Sequence, residues 1–80
     1  MTNLEKYNQA FAQALDLAET DVNESLEYQG IPSWDSIGHM ELISQLEDMF
    51  GIMMDTDDIV DLSSYNVGKQ LLAKYDIVIE

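Results

Sequence analysis

Residues 35–51 of this chain form the stretch DSIGHMELISQLEDMFG. Its apolar side chains recur at spacings of three and four residues, the pattern of an amphipathic helix. We predict a helix from Ser36 to about Phe50, ended by Gly51 because glycine readily adopts the left-handed conformation that stops a helix. One face should meet the core, and its members are Leu42, Ile43, Leu46, Met49, Phe50 and Met53.

The opposite face of this helix is acidic beyond its first turn. Its members follow one another at helical spacings and are Ile37, Met40, Glu41, Ser44, Glu47 and Asp48. In the first turn, the apolar residues Ile37 and Met40 stand beside Ser36. An apolar spot bordered by carboxylates suits the docking of a partner, so we predict a protein-binding surface here.

A second helical pattern comes before this stretch. Residues 2–17 have apolar positions at helical spacing, and Thr2 with Glu5 has the form of a capping box, which predicts a helix that starts there. Residues 18–35 lack a helical period and are rich in turn-forming residues. They predict a long loop that is pinned across the helices by its apolar side chains, which are Val22, Leu26, Tyr28 and Ile31.

The C-terminal third predicts two more helices. A run of aspartates before Ile59 indicates a short helix with acids in its first turn, and Ser63 or Ser64 should cap a last helix. We expect residues 77–79 to form an extended tail that lies on the helices. The sequence therefore predicts an all-α fold in a single domain, 1–80: a small four-helix bundle with three longer helices and one short one.

Charge is the strongest global feature. Sixteen Asp and Glu residues against three lysines and no arginine give a formal net charge of −13. Between Tyr7 and Gly68 there are thirteen carboxylates and no lysine or arginine. Nucleic acids and anionic membrane surfaces attract basic proteins, so both are excluded as partners. Basic patches on other proteins should be attracted instead, with a strong dependence on salt.

The chain has no cysteine, which excludes a disulfide framework, a thiolate metal site and a cysteine nucleophile. It also has no apolar stretch long enough for a signal peptide or a membrane span. We therefore expect a cytoplasmic protein, monomeric and without a membrane span.

Few residues are suited to catalysis or metal binding. His39 is the one histidine and has no cysteine partner, so we predict a partly buried structural or surface role for it and no metal site. The acidic run 55–61 does not fit a calcium loop, because the sixth and twelfth places counted from Asp55 hold Val60 and Asn66 rather than glycine and an acid. Helix capping and a solvated acidic face explain the run better. An enzyme is not expected.

Asp35 and Ser36 remain, and two interpretations of this pair stay open. The pair has the form of an ordinary helix N-cap, which is worth about 1 kcal/mol. Alternatively, the Ser36 hydroxyl lies where free backbone N–H groups and the helix dipole favour a phosphate. An aspartate directly before it could hold a metal-bound cosubstrate against that hydroxyl.

At these residues the sequence resembles the acyl carrier proteins. The motif DSIGHMELI at residues 35–43 and its continuation LEDMFGI at 46–52 are similar to the family's Asp-Ser-Leu motif and helix. The leading helix, the long loop, the short acidic helix and the opening SYNV of the last helix at 64–67 follow the family's order. The resemblance covers nearly the whole chain and implies a bundle of acyl-carrier type.

The resemblance implies that a phosphopantetheinyl transferase esterifies Ser36 with 4′-phosphopantetheine from coenzyme A. The thiol of this arm would carry acyl groups as thioesters, and Asp35 would help to coordinate the magnesium ion used in the transfer. Acyl-transferring and synthase enzymes would then bind through basic patches. The positions that match the family's partner contacts are Ile37, Met40, Glu41, Glu47 and Asp48.

Two departures from the family pattern bear on the cargo. Ser33 and Trp34 precede Asp35 where fatty-acid carriers commonly have Gly-Ala, and Gly38 takes the place of an acid. Gly38 is also expected to cost the helix about 0.5–1 kcal/mol relative to alanine. These differences favour carriers that serve specialised lipid, polyketide or cell-envelope routes over housekeeping fatty-acid synthesis.

Two alternatives stay open. Carriers of amino acids, such as D-alanyl carriers, also use Asp-Ser, so the cargo could be an aminoacyl group. An unmodified acidic helical adaptor that binds a basic protein face is the alternative from another class.

Overall fold

The computed structural model describes residues 2–79; the predicted domain also includes Met1 and Glu80, which lie outside the described residues. Four α-helices and no β-strand are present in that range, so the predicted all-α class is confirmed, with three longer helices and one short one. The helices are α1 (Asn3–Leu15), α2 (Ser36–Phe50), α3 (Thr56–Asp61) and α4 (Tyr65–Ala73). None of these helices is long and apolar enough to cross a membrane.

Helix α1 begins at the predicted capping box. The Thr2 hydroxyl accepts a hydrogen bond from the Glu5 N–H at 3.1 Å, and the Glu5 carboxylate accepts one from the Thr2 N–H at 3.2 Å. The helix ends at Leu15, two residues before the predicted end. The reason is that Asp16 adopts a left-handed conformation (φ 55°), and Leu17 N–H then bonds back to the last turn.

The long loop after α1 is pinned to the core by Val22 and Leu26, which are both buried, as predicted. It contains one turn of 3-10 helix, Glu19–Asp21, which the sequence pattern did not indicate. An antiparallel bridge joins Glu27 to Ser64, the residue that caps α4. The second half of the loop is therefore held along the start of the last helix.

Helix α2 begins at Ser36 and ends at Phe50, as predicted, and Gly51 stops it in a left-handed conformation (φ 63°). Its core face packs against α1. Most of the predicted core residues are buried or half-buried: Leu42, Ile43, Leu46, Met49 and Phe50.

Met53 was predicted to continue this core face, and that prediction is wrong. Its side chain is 84% exposed, while Met54 is buried instead. The helical period no longer applies after Gly51, because the left-handed residue turns the chain. Met54 is fixed in its place by its N–H, which donates to the Glu47 carboxylate at 2.9 Å.

An aromatic cluster fills the centre of the hydrophobic core. The rings of Tyr7, Phe11, Trp34 and Tyr65 meet edge-on or tilted, with centroids between 4.9 and 5.4 Å apart. The Tyr7 hydroxyl donates to the Tyr65 carbonyl at 2.6 Å, and burial raises the pKa of this phenol strongly. The cluster joins α1 to α4 and to the end of the loop that precedes α2.

The tail has no helical structure at residues 77–79 and lies on the helices, as predicted. Ile77 is buried, and the Val78 carbonyl accepts a hydrogen bond from the Asn3 side chain at 3.0 Å. The tail therefore covers the beginning of α1.

The acidic run 55–61 was predicted to form a solvated face, and this prediction is wrong at Asp58. This side chain is only 1% exposed, so it is not part of a solvated face. It accepts hydrogen bonds of 2.6 Å from Lys74 Nζ and from the Tyr75 hydroxyl. These two hydrogen bonds hold the pKa of Asp58 below its ordinary value of 3.8, and they tie α3 to the end of α4.

This cluster predicts a pH window for stability. The lowered pKa of Asp58 means that its contribution is present above about pH 4 and is lost as the pH falls through the folded-state pKa. Hydrogen bonds to Asp58 raise the pKa of Lys74 and of Tyr75, so at alkaline pH the contribution is lost as the pH rises through those values. The stability difference between the chain and Asp58→Asn should therefore be constant from about pH 5 to 9 and shrink on both sides.

Urea unfolding of both proteins across this pH range, followed by circular dichroism, measures the difference. Using the difference removes the general repulsion among the other carboxylates, which acid relieves in both proteins. Asp57→Asn is the matched control, because Asp57 is an exposed neighbour and its difference should stay small throughout. A difference for Asp58→Asn as large at pH 2 as at pH 7 would contradict the assignment.

Candidate functional site

Ser36 is the first residue of α2, and its side chain is exposed. Asp35 caps this end of the helix, because its Oδ1 accepts a hydrogen bond from the Gly38 N–H at 2.9 Å. The N–H groups of Ser36 and Ile37 have no partner inside the helix, as is usual for a first turn. The Ser36 hydroxyl therefore takes no part in capping. It lies at the N-terminus of a 15-residue helix, which is the positive end of the helix dipole.

Tyr28 reaches this hydroxyl from the loop. Its phenol oxygen lies 3.3 Å from Ser36 Oγ, and either atom can be the donor. The sequence pattern placed Tyr28 only among the apolar residues that pin the loop. No spacing rule connects a loop residue with a helix end eight positions later, so this contact could not be found without the fold.

A groove of about 360 Å³ opens beside Ser36, between the first turns of α2 and the helix α3. Its lining is mainly apolar and also includes three hydroxyl groups and one imidazole. The lining residues are Tyr28, Ser36, His39, Met40, Ile59, Val60, Leu62 and Ser63. A second depression, of about 390 Å³, lies over the loop at residues 29–35 and does not include Ser36.

His39 connects the elements that line this groove, which agrees with the structural role predicted for it. Its Nδ1 accepts a hydrogen bond from the Trp34 indole N–H at 3.0 Å, and its Nε2 lies 2.7 Å from the Ile59 carbonyl oxygen. An indole N–H can only donate, so the neutral imidazole carries its proton on Nε2 and donates it to Ile59. The imidazole thereby connects the loop, α2 and α3.

Gly38 is buried where α2 passes closest to the loop. A Cβ atom at this position would lie 2.1 Å from the Ser33 carbonyl oxygen and 3.2 Å from Leu15 Cδ2. The glycine is therefore required by a backbone contact, and its effect on helix propensity is secondary. The same contact leaves no room for the acid that fatty-acid carriers commonly have two residues after the serine.

The apolar part of the predicted partner surface is exposed. Ile37 is 81% exposed and Met40 is also largely exposed, on the turn that carries Ser36. Val60 of α3, which the sequence pattern did not single out as exposed, is 74% exposed and lines the groove with Met40. The apolar spot beside Ser36 therefore spans two helices.

The acidic part of this surface is less uniform than predicted. Glu41 and Asp48 are exposed. Glu47 is only half-exposed, and one of its carboxylate oxygens binds the Met54 N–H. Glu47 therefore has a structural role in the turn after α2 besides the charge it presents to a partner.

Most of the negative charge has no counter-ion close by. Among residues 2–79 the one ion pair formed by a lysine is Lys74 with Asp58. Within the same range no group of three or more His, Asp or Glu side chains could hold a metal ion.

We expect salt to stabilise the fold, because it screens the repulsion among the carboxylates: raising the salt concentration from ~10 mM to ~150 mM shortens the Debye length from about 30 Å to about 8 Å. The thermal midpoint should rise by a few degrees, and a divalent cation should act in the same direction. A midpoint that is flat across this range would contradict the expectation.

No protein-family model, curated protein or solved structure matches the chain.

Proposed function

We propose that this chain is an acyl carrier protein whose Ser36 bears 4′-phosphopantetheine. One observation carries the proposal: the Ser36 hydroxyl is exposed at the first residue of α2 while Asp35 alone caps the helix. The resemblance of residues 35–52 to the carrier motif supports the same assignment. We also propose that the four helices form a bundle of acyl-carrier type.

The residues around Ser36 fit the arm. In the loading reaction, Ser36 Oγ bonds to the phosphorus that carries pantetheine in coenzyme A, the bond from this phosphorus to the adenosine bisphosphate half breaks, and the hydroxyl proton passes to a base on the transferase. Asp35 Oδ1 is used by the cap, whereas Oδ2 remains for the magnesium ion of the transferase. After transfer, the free N–H groups of the first turn face the negative charge of the phosphate.

The arm, when attached, supplies the thiol that forms thioesters with acyl groups. The chain itself does no bond-making chemistry after this modification; it holds a substrate at high effective concentration for the enzymes that use it. Gly38 keeps α2 close to the loop, and His39 keeps α3 close to α2. These two contacts fix the walls between which the arm can lie.

The partner surface follows from the exposed groups next to Ser36. Ile37, Met40 and Val60 offer an apolar spot, Glu41 adds a charge directly after Met40, and Asp48 adds another about two turns further along α2. Basic patches on a phosphopantetheinyl transferase and on acyl-transferring or synthase enzymes would complement this surface. The expected route is specialised lipid, polyketide or cell-envelope biosynthesis.

Intact-protein mass tests the proposal. The chain is incubated with coenzyme A, magnesium and a broad-specificity phosphopantetheinyl transferase. We expect a gain of one phosphopantetheine, no gain for Ser36→Ala, and the full gain for Ser25→Ala, the control with an exposed serine outside the predicted partner surface. A folded chain that gains no mass would contradict the carrier and would favour the acidic adaptor.

A further inference from the structure

We propose that the Tyr28 hydroxyl is a positioning group, which donates a hydrogen bond to the phosphate attached to Ser36 and so directs the arm into the groove between α2 and α3. This inference rests on the proposed function, because it concerns the modified serine. Tyr28 makes no bond and breaks none; its role is to fix where the phosphate and the arm lie.

The contact with Ser36 is already present before modification, at 3.3 Å between the two hydroxyl oxygens. Once Oγ is esterified it has no hydrogen, so Tyr28 can only be the donor in this contact. The anionic oxygens of the phosphate lie two bonds beyond Oγ, on the phosphorus atom, and are better acceptors than the ester oxygen. A short movement of the phosphate therefore converts a neutral contact into a charge-assisted hydrogen bond.

Tyr28 is held in place independently of Ser36. Its N–H donates to the carbonyl of Ser63, another residue that lines the groove, at 2.9 Å. Its ring meets the His39 and Trp34 rings edge-on, with centroids 5.2 and 6.3 Å apart. The hydroxyl has no other hydrogen-bond partner than Ser36 Oγ within residues 2–79. A rigid ring with an available donor is what a preorganised phosphate contact needs.

The position of Tyr28 also sets a direction. It lines the same groove as Met40, Ile59 and Val60, so a phosphate bonded to it is held on the groove side of Ser36. The arm then leaves Ser36 along an apolar surface. Without the phenol donor, the first-turn N–H groups of α2 would hold the charge but would not favour this side.

The test compares the loaded chain with loaded Tyr28→Phe and, as control, loaded Tyr65→Phe. Tyr28→Phe keeps the ring and its aromatic contacts and removes only the hydroxyl. Tyr65→Phe loses a hydroxyl that bonds to Asn8 on α1, and neither residue lines the groove beside Ser36. Phosphorus NMR of the phosphodiester is the readout, because a merely structural change elsewhere does not move this resonance. We expect it to shift in Tyr28→Phe and to keep its wild-type position in Tyr65→Phe.

A second measurement needs only the wild-type chain. With tyrosine labelled at Cζ by carbon-13, loading should shift the Tyr28 resonance and leave those of Tyr7 and Tyr65 in place. Unchanged phosphorus resonances in Tyr28→Phe, or an unchanged Tyr28 Cζ resonance on loading, would overturn the inference. Intact mass recorded first separates the two proposals: no mass gain refutes the carrier itself, whereas a gain with unchanged resonances refutes only the role of Tyr28.

Discussion

Replacing Trp34 by alanine is expected to lower the free energy of unfolding by about 3–5 kcal/mol, the usual cost of deleting a buried tryptophan. Its side chain is fully buried and meets the Phe11 ring edge-on at 5.4 Å. Its indole N–H also satisfies Nδ1 of His39 at 3.0 Å. A domain of this size is stable by only ~4–12 kcal/mol, so the alanine variant should be largely unfolded in mild denaturant.

Urea unfolding followed by far-ultraviolet circular dichroism measures this loss, since the variant has no tryptophan fluorescence. Trp34→Phe separates the two contributions of the indole. It keeps much of the ring packing and lacks the N–H donor, so its loss should be intermediate. An unfolding midpoint of Trp34→Ala equal to that of the wild type would show that the aromatic cluster does not stabilise the fold.

Gly38→Ala is expected to destabilise the fold by about 1–3 kcal/mol, at the upper end of this range, because it overpacks a tight contact. The added Cβ would lie 2.1 Å from a backbone oxygen, that of Ser33, which cannot move aside as a flexible side chain could. Helix propensity alone predicts the opposite sign, a gain of about 0.5–1 kcal/mol. The direction of the effect therefore decides between the two explanations of this glycine.

Ser44→Ala is the matched control for Gly38→Ala, because Ser44 lies on the same helix and is exposed. It should leave stability unchanged or raise it slightly. Both variants are compared by urea unfolding at the same salt concentration. A Gly38→Ala variant more stable than the wild type would mean that the loop and α2 separate without cost, and that Ser36 is less firmly placed than the contact indicates.

Local signals predicted most of the helical structure. The period of apolar residues predicted α2, Gly51 predicted its end, and the pairing of Thr2 with Glu5 predicted the start of α1, because these signals depend on residues within one or two turns. The end of α1 and the exposure of Met53 were predicted wrongly for a related reason. In each case a left-handed residue, Asp16 or Gly51, breaks the period, and the pattern does not show where the chain goes next.

Contacts between distant parts of the chain could not be predicted in this way. Asp58 is paired with Lys74, sixteen positions later. Position 38 has to be glycine because the carbonyl oxygen of Ser33 lies where a Cβ atom would need room. In the sequence, Asp58 is one aspartate of an acidic run and Gly38 is a weak helix former. Only the packing of α3 on the end of α4, and of the loop on α2, gives each residue its role.

At the candidate site, too, local signals could be predicted from the sequence and long-range contacts could not. The motif singled out Asp35 and Ser36, and the fold assigns the cap to Asp35 and leaves the Ser36 hydroxyl exposed. Tyr28 and Val60 come to this site from two other parts of the chain. Their contribution follows from the bridge between the loop and the start of α4 and from the position of α3, which no spacing in the sequence encodes.

The most direct test of the central claim is tandem mass spectrometry of the chain isolated from the cells that naturally produce it. We expect the peptide containing Ser36 to carry one phosphopantetheine, located on that serine, and the mass on the arm's thiol to identify the cargo as an acyl or an aminoacyl group. A naturally produced chain with unmodified Ser36 throughout, from cells that modify their other carriers, would contradict the account.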